Sequence, residues 1–211
     1  MVMNIFPNLL NKTWGYLNLN KESKNYSKIN FNNPIECEKW VESIHNLNSV
    51  DYSYGGFLED RSNLWKGSYL DELNAFIHLG VDFNVPVGTR VALPIDARVE
   101  NIVFDPNQNG GWGAGIKLKI LNSNNYLVFA HLSHKLKIKI GDEFSKGEII
   151  AKTGKISENG GWYPHLHVQV FNKKFDDAYS NDLDLMDGYL PKKHSHLKYV
   201  INPMDYIKLK K

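Results

Sequence analysis

Hydrophobic and polar residues change their pattern near His78, and this change divides the chain into regions with different expected structures. From there to about residue 171, short runs of alternating apolar and polar residues are separated by turn signals such as Pro86-Val-Gly88 and Gly141-Asp142. Alternation with a period of two is typical of β-strands that bury one face. We therefore predict a mainly β protein with an antiparallel β-sheet core. The predicted strands cover residues 81–85, 90–93, 98–104, 115–121, 126–131, 148–152 and 165–171.

A helix is predicted ahead of this core. Asn33, Pro34 and Glu36 form a sequence signature of a helix N-terminus, with a capping side chain, a proline at the first helical position and an acidic first turn. The apolar residues that follow recur at the spacing of one helical face. His45, near the end of this helix, is expected at the surface or facing the helix dipole. The sheet is thus expected to be flanked by one or two short helices.

Three regions follow from these patterns. Residues 1–77 are predicted to form an N-terminal arm and helix that pack on the core, which itself spans residues 78–171. Residues 172–211 are predicted to be a C-terminal extension that ends in a second capped helix start. The alternating lysines of residues 135–139 predict a half-buried edge strand with one solvated face.

Composition narrows the classes of function. The 25 basic and 23 acidic residues leave a net charge of +2, which gives no strong field for binding nucleic acid. The single cysteine, Cys37, excludes an internal disulfide and a thiolate zinc site, so a bound metal requires His, Asp or Glu. No apolar run approaches the ~20 residues of a membrane-spanning helix. The first residues lack the pattern of a signal peptide, which predicts a cytoplasmic location, with export to the cell envelope or medium by another route as the alternative.

Two short patterns of polar residues indicate a metal site. His78 and Asp82 are separated by Gly80, and on an extended chain these three positions point the same way. An imidazole and a carboxylate can then meet at one metal, while the glycine leaves the space between them empty. His165 and His167 repeat this spacing on the last predicted strand. Each pattern is weak alone, but two such strands side by side would bring three or four ligand atoms together.

Three motifs together resemble the M23 (lysostaphin/LytM-type) zinc metallopeptidases. They stand in the order and context of that family: His78-Leu-Gly-Val-Asp82, Ala130-His131-Leu-Ser133 and Pro164-His165-Leu-His167. The resemblance implies that His78, Asp82 and His167 bind Zn²⁺ in an open groove of the sheet, and that His131 and His165 are the catalytic histidines. A catalytic zinc keeps three protein ligands and one open position, so two of these five side chains are left for proton transfer.

A repeated tetrapeptide precedes two of the core strands. Asn-Gly-Gly-Trp occurs at residues 109–112 and again at residues 159–162. One interpretation is a pair of loops whose aromatic side chains line a peptide groove, and the other is two ordinary glycine turns with a hydrophobic anchor. The sequence alone does not decide between these two interpretations. The groove residues would be Trp112, Trp162 and Tyr163.

The function that the resemblance implies is a zinc-dependent metalloendopeptidase that hydrolyses peptide bonds. Its substrates would be peptidoglycan cross-links or short peptides that contain glycine or D-amino acids. Tyr69 lies nine residues before His78, where some family members carry an oxyanion-stabilising tyrosine, and is added to the groove. The alternative function is a non-hydrolytic M23-like binding or regulatory domain with a cytosolic ligand. The oligomeric state is left open.

Overall fold

The computed structural model describes residues 4–23, 29, 33–108, 110–179 and 188–209. This part of the chain is mainly β, as predicted, and none of its helices is long and apolar enough to cross a membrane. The helices are α1 (Pro34–Leu47), α2 (Ser62–Trp65), α3 (Tyr69–Glu72) and α4 (Lys173–Tyr179). The strands are β1 (Trp14–Tyr16), β2 (Tyr52–Gly55), β3 (Ile77–His78), β4 (Val81–Asn84), β5 (Arg90–Ala92), β6 (Ala97–Asp105), β7 (Gly113–Ile120), β8 (Asn125–Leu132), β9 (Glu143–Phe144), β10 (Ile149–Lys152), β11 (Leu166–Asn172), β12 (Tyr189–Leu190) and β13 (Val200–Ile201).

Within the described residues, nine strands form one sheet in the order β1-β2-β4-β11-β8-β7-β6-β9, with β13 paired to the end of β11. Its pairs are antiparallel except for β1 with β2. Two small ladders, β5 with β10 and β3 with β12, complete the architecture. Strand β11 lies near the centre of the sheet, between β4 and β8. All three predicted motifs are therefore brought to neighbouring strands.

The two faces of the sheet have different roles. On β11, Leu166, Val168 and Val170 point into the larger hydrophobic core, where they are fully buried. His167 and Gln169 alternate with them and point to the opposite face, as the period of two requires. The polar residues of the motifs thus sit on the face that is packed against α4, β12 and a smaller apolar cluster.

Helix α1 begins where the sequence signature predicts. The side chain of Asn33 accepts hydrogen bonds from the backbone N–H groups of Ile35 and Glu36, and Pro34 is the first helical residue. His45 lies in the last turn of α1, but the expectation of a surface position is wrong, because its ring is buried against β2 and its Nε2 lies 2.8 Å from the Ser53 hydroxyl. A buried position is possible for this polar side chain because Ser53 provides a hydrogen-bond partner.

Two other details differ from the prediction. Residues 135–139 are not a strand but a segment without regular structure, although Leu136 and Ile138 do pack against the larger core. Residues that face the core do alternate with the lysines, but no strand among the described residues pairs with this segment. In the N-terminal region, β1 and β2 extend the sheet beyond β4, so this region supplies strands as well as a helix. The C-terminal helix start is a single 3-10 turn, Pro203–Asp205, capped by Asn202.

Candidate metal centre

His78, Asp82 and His167 meet on the face of the sheet that lies opposite the larger hydrophobic core. Asp82 and His167 are directly opposite each other in the β4–β11 pair, so their side chains share a face. His78 lies at the end of β3, just before β4. Its Nε2 is 3.0 Å from Nδ1 of His167 and 3.4 Å from Oδ1 of Asp82. The same Oδ1 is 3.0 Å from Nδ1 of His167, so three ligand atoms converge on one point.

This donor set fits a zinc ion. A tetrahedral zinc with bonds of about 2.1 Å separates its ligand atoms by about 3.4 Å, close to the observed 3.0–3.4 Å. Two nitrogens and one carboxylate oxygen are also ligand types that zinc binds, with a fourth position left open in a catalytic site. Among the described residues, these three form the cluster of His, Cys, Asp or Glu that could hold a metal ion.

The second nitrogen of each imidazole is held by a hydrogen-bond acceptor. Nδ1 of His78 donates to the backbone carbonyl of Gly56 at 3.0 Å, and Nε2 of His167 lies 3.4 Å from Oε1 of Gln169. Such outer partners fix the tautomer, so that the lone pairs point to the metal position. Burial, and then the positive charge of Arg61, lower the pKa of His78 to about 4. Its imidazole is therefore neutral at neutral pH, as a metal ligand must be.

Asp82 is ionised and oriented by its neighbours. Burial alone would raise its pKa, but His78 and Arg61 outweigh burial and hold that pKa well below its usual range. Arg61 donates from Nη1 to Oδ2 of Asp82 at 2.6 Å, while Oδ1 faces the two imidazoles. The two carboxylate oxygens thus have separate partners.

Gly80 is required for a reason that the sequence did not reveal. The chain between His78 and Asp82 is not one extended strand, because β3 and β4 are separate and pair with different neighbours. A Cβ atom at Gly80 would lie 2.5 Å from Cε1 of His167 and 2.5 Å from the backbone oxygen of Val168. The glycine therefore makes room for the ring of His167.

A β-bulge aims His131 at the centre. Ala114 of β7 is opposite Leu132 of β8, but Ile116 is opposite Phe129, so β8 carries one extra residue at this point. His131, within this irregular stretch, has a backbone φ of +63°, which non-glycine residues seldom adopt. Bulges re-aim side chains next to active sites. Here the bulge brings the ring of His131 to 6.2 Å from that of His167.

His131 and His165 form a pair beside the three ligand residues. Their ring centroids are 4.2 Å apart. Nδ1 of His165 donates to the backbone oxygen of Tyr163 at 2.6 Å, which leaves Nε2 of His165 as the basic atom. Nδ1 of His131 is buried and has no hydrogen-bond partner among the described residues. Burial is the main cause that lowers the pKa of both imidazoles, and neighbouring histidines lower that of His131 further.

Each repeated loop places its tryptophan against one of these histidines. The ring of Trp112 stacks on His131, with centroids 6.3 Å apart and an interplanar angle of 16°. The ring of Trp162 meets His165 edge-on, with centroids 5.0 Å apart. Both tryptophans line the cavity above the metal centre. Their position agrees with the groove interpretation, and any contact with substrate remains a prediction.

The two loops interlock through their glycines. The N–H of Gly110 donates to the carbonyl of Gly160 at 2.9 Å, and Gly160 has a φ of +84°. A Cβ atom at Gly160 would overlap the backbone oxygen of Gly111. The repeated glycines therefore allow the two loops to pack backbone against backbone; Asn109 lies outside the described residues.

The structure does not place the other two predicted groove residues, Tyr163 and Tyr69, in the lining of the cavity. Tyr163 does not line the cavity: its ring is buried in a cluster with Leu17, Cys37 and Trp40 beneath α1, and only its backbone oxygen reaches the site. Its apolar ring finds a complete hydrophobic environment there. The side chain of Tyr69 lies outside the part of the chain that the structure describes, so its role stays a prediction.

The cavity has a volume of about 50 Å³, room for only a few water molecules. Its lining also includes Trp65, Gly188 and Tyr189, which the sequence reasoning missed. The hydroxyl of Tyr189 accepts hydrogen bonds from Nε1 of Trp65 at 2.8 Å and from Nη1 of Arg61 at 3.3 Å. Burial raises the pKa of Tyr189 to about 12, so the hydroxyl keeps its proton. With both acceptor positions used, that proton remains free for donation into the cavity.

Only one of the residues that the sequence reasoning missed has a signal in the sequence. Gln169 could have been found, because it lies two residues after His167 on the same strand and must share its face. Arg61, Trp65 and Tyr189 belong to segments that carry no recognisable motif. Only the tertiary structure brings them to the ligand residues.

A buried cluster of two imidazoles and one carboxylate, with two more imidazoles beside it, defines a candidate catalytic metal centre on an antiparallel sheet. Residues 76–179, just under half of the chain, match Peptidase family M23. The match includes all five residues of the three motifs. The family prediction is confirmed.

Individual relatives agree with the family match. A protein named an uncharacterized metalloprotease of Haemophilus influenzae is 40% identical over 93 residues, which are 44% of this chain and 18% of that protein. Glycyl-glycine endopeptidase ALE-1 of Staphylococcus capitis is 31% identical over 116 residues, which are 55% of this chain and 30% of that protein. The chain thus spans less than a third of the length of these relatives. A solved catalytic domain of lysostaphin from Staphylococcus simulans is 25% identical with a TM-score of 0.44, covering 62% of this chain and 79% of that domain.

Proposed function

We propose that this protein is a zinc-dependent metalloendopeptidase that hydrolyses peptide bonds. The observation that carries the proposal is the convergence of three ligand atoms, 3.0–3.4 Å apart, beside two neutral imidazoles. The match to Peptidase family M23 supports the same activity. Loss of ligands would be expected in a domain that only binds a partner, and all five polar residues are present here.

His78, Asp82 and His167 would hold the zinc ion through the atoms described above. When bound, zinc acts as a Lewis acid that polarises a substrate carbonyl and makes water reactive at neutral pH. The buried position of the three residues excludes bulk water from one side of the site, which strengthens electrostatic interactions there. The protein thus contributes three ligand atoms that are fixed in position and shielded from bulk water on one side.

The histidine pair handles the protons. Nε2 of His165 is unprotonated because Nδ1 holds the proton in its bond to Tyr163. The lowered pKa values of His165 and His131 keep both rings neutral, so either ring can accept a proton from the attacking water. The protonated pair then returns this proton to the leaving amine, as the hydrolysis of a peptide bond requires. The stacked indole of Trp112 and the edge of Trp162 hold the two rings in place.

Tyr189 supplies a hydrogen-bond donor in the lining of the cavity, beside His78. Because its hydroxyl oxygen accepts from Trp65 and Arg61, its proton is available to the oxygen of a substrate carbonyl. A donor already in position stabilises negative charge that develops on this oxygen during attack. This assignment gives Tyr189 the part that the sequence resemblance suggested for Tyr69.

The substrates proposed are peptidoglycan cross-links or short peptides that contain glycine or D-amino acids. The small volume of the cavity, about 50 Å³, leaves little space for a side chain beside the reacting bond. One relative carries the name glycyl-glycine endopeptidase, which supports a substrate of this kind.

The test combines metal analysis with a substrate panel. The purified chain is incubated with peptidoglycans of different cross-bridges and with Gly-rich and D-Ala-containing peptides, and products are identified by mass spectrometry. We expect about one zinc per chain and cleavage that stops on chelation and returns with zinc. His167→Ala should lose both metal and cleavage, since two ligands rarely hold zinc tightly.

His196→Ala is the matched control. His196 belongs to a second His-x-His pair, His194-Ser-His196, whose rings lie outside the residues that line the cavity. It should keep full zinc and activity. A wild-type protein without zinc, or cleavage that persists under chelation, would contradict the proposal. Zinc-dependent binding of a peptide without cleavage would instead support the non-hydrolytic alternative.

A further inference from the structure

A buried charged network connects the N-terminal region to the metal centre. Arg61 lies between two carboxylates, with Nε 3.4 Å from Oε2 of Glu59 and Nη1 2.6 Å from Oδ2 of Asp82. All three side chains are almost completely buried, with 3–4% of each residue exposed. Glu59 and Arg61 precede residues 76–179, the part of the chain that matches the family. The network therefore joins a segment outside that match to one of the metal ligands.

The backbone holds Arg61 firmly in this position. Its N–H donates to the carbonyl of Phe76, and the N–H of His78 donates to the carbonyl of Glu59, both at 2.9 Å. These bonds tie the segment along the edge of β3. Glu59 is fixed in turn by Tyr16, whose hydroxyl donates to its Oε1 at 2.8 Å. The backbone bonds thus fix the position from which the Arg61 side chain extends, and Glu59 is a fixed second partner for its guanidinium group.

Stability alone is a poor explanation for this arrangement. Moving charged groups out of water costs free energy that their mutual attraction often fails to recover, and apolar residues of similar size are frequently as good or better. Glu59 and Arg61 could neutralise each other without Asp82. Instead, the shortest contact of the guanidinium is with the metal ligand.

We infer that Arg61 is a positioning residue that holds Asp82 as a one-oxygen ligand of the metal. The torsion that rotates a carboxylate plane is soft, so an unrestrained aspartate can present either oxygen or both. Arg61 occupies Oδ2 and leaves Oδ1 toward His78 and His167. Arg61 also donates to Tyr189, so one side chain orients a ligand and the cavity hydroxyl together. This inference rests on the proposed zinc site.

The experiment measures zinc affinity rather than turnover. Zinc dissociation constants are determined by competition with a chromophoric chelator, and the folded fraction is read from circular dichroism on the same samples. Arg61→Met removes the guanidinium but leaves Glu59 buried without its partner, which can unfold the protein. The double variant Glu59→Gln, Arg61→Met removes both charges of that pair and keeps the test valid. Both variants should bind zinc about 10–100-fold more weakly, the usual effect of losing a residue that orients a ligand.

A second buried ion pair provides the matched control. Lys117 and Asp176 are 2.8 Å apart, with side chains 9% and 10% exposed, and neither lines the cavity. The variant Lys117→Met, Asp176→Asn should bind zinc as the wild type does. The visible absorption spectrum of the Co²⁺-loaded protein adds a readout of the ligand sphere, and it should change only in the Arg61 variants.

The outcomes separate the two proposals. A folded Glu59→Gln, Arg61→Met variant that binds zinc as tightly as the wild type, or more tightly because a nearby cation is gone, overturns the positioning role of Arg61. The proposed zinc function would then still stand. A wild-type protein that binds no zinc overturns the function and this inference with it.

Discussion

Adding a single methyl group at Gly80 should displace a metal ligand. In Gly80→Ala, the new Cβ would lie 2.5 Å from Cε1 of His167 and 2.5 Å from the carbonyl oxygen of Val168. The carbonyl cannot move away easily, because β11 is hydrogen-bonded to β4 on one side and to β8 on the other. The ring of His167 must therefore give way.

The size of that displacement follows from ordinary contact distances. Carbon atoms that are not bonded approach to about 3.5 Å, so the ring has to shift by about 1 Å. Metal–ligand distances tolerate only about 0.2 Å. The ring of Trp112 also limits the space around His167, since it lies 5.5 Å away, centroid to centroid. We expect zinc affinity to fall by about 100-fold or more, beyond the range for a lost outer partner.

Gly115→Ala is a close control for this experiment. Gly115 lies in β7 and, like Gly80, has no positive φ, but a Cβ there would meet its nearest atom, the carbonyl oxygen of Phe129, only at 3.7 Å. Both variants are titrated with zinc in the presence of a competing chelator, and circular dichroism checks their folding. Gly115→Ala should bind zinc normally. If folded Gly80→Ala does the same, the geometry described for the centre is wrong.

Three further predictions test other parts of the site and the fold. His131→Ala and His165→Ala should keep nearly one zinc per chain while kcat falls about 100-fold or more, with less than additive loss in the double variant; zinc loss from His165→Ala would mean that ligand and catalyst are exchanged. Tyr189→Phe should keep its zinc and lose about 100-fold in kcat as an oxyanion donor is removed, and unchanged kcat would exclude that role. Burial lowers the pKa of His45, so the unfolded state binds the proton first as pH falls below about 6.5 and folding stability is lost there. The free energy of unfolding of the wild type minus that of His45→Gln, from urea titrations, should therefore decrease from pH 7 to pH 5; a constant difference would contradict the assignment.

The strands of the core could be predicted because their signals are local. On β11, three buried aliphatic residues alternate with His167 and Gln169, so periodicity alone assigns the two faces. The N-terminus of α1 is local in the same sense, since Asn33 caps N–H groups only two and three residues away. Patterns of this kind depend on backbone geometry that each residue shares with its nearest neighbours.

Strand pairing in the N-terminal region was not predictable in this way. β1 and β2 have only three and four residues, and β1 lies within residues 1–33, which contain nine Asn, a composition that favours turns. They become strands because β4 offers a free edge and Trp14 finds an apolar site there. The bulge at His131 is likewise invisible in the sequence, because residues 126–130 are all aromatic or aliphatic and show no alternation that an extra residue could interrupt.

The candidate site shows the same division between local and distant contacts. His78, Asp82 and His167 were found because short motifs carry them, and the structure brings their atoms within 4.8 Å of one another. Arg61 is 21 residues from Asp82 and 128 residues from Tyr189, and no short-range pattern connects such positions. A buried arginine needs a partner of opposite charge, but its sequence does not say which carboxylate that is. The residues that coordinate a metal are therefore easier to read from a sequence than the residues that orient them, and variants of Arg61 test the part that only the structure supplies.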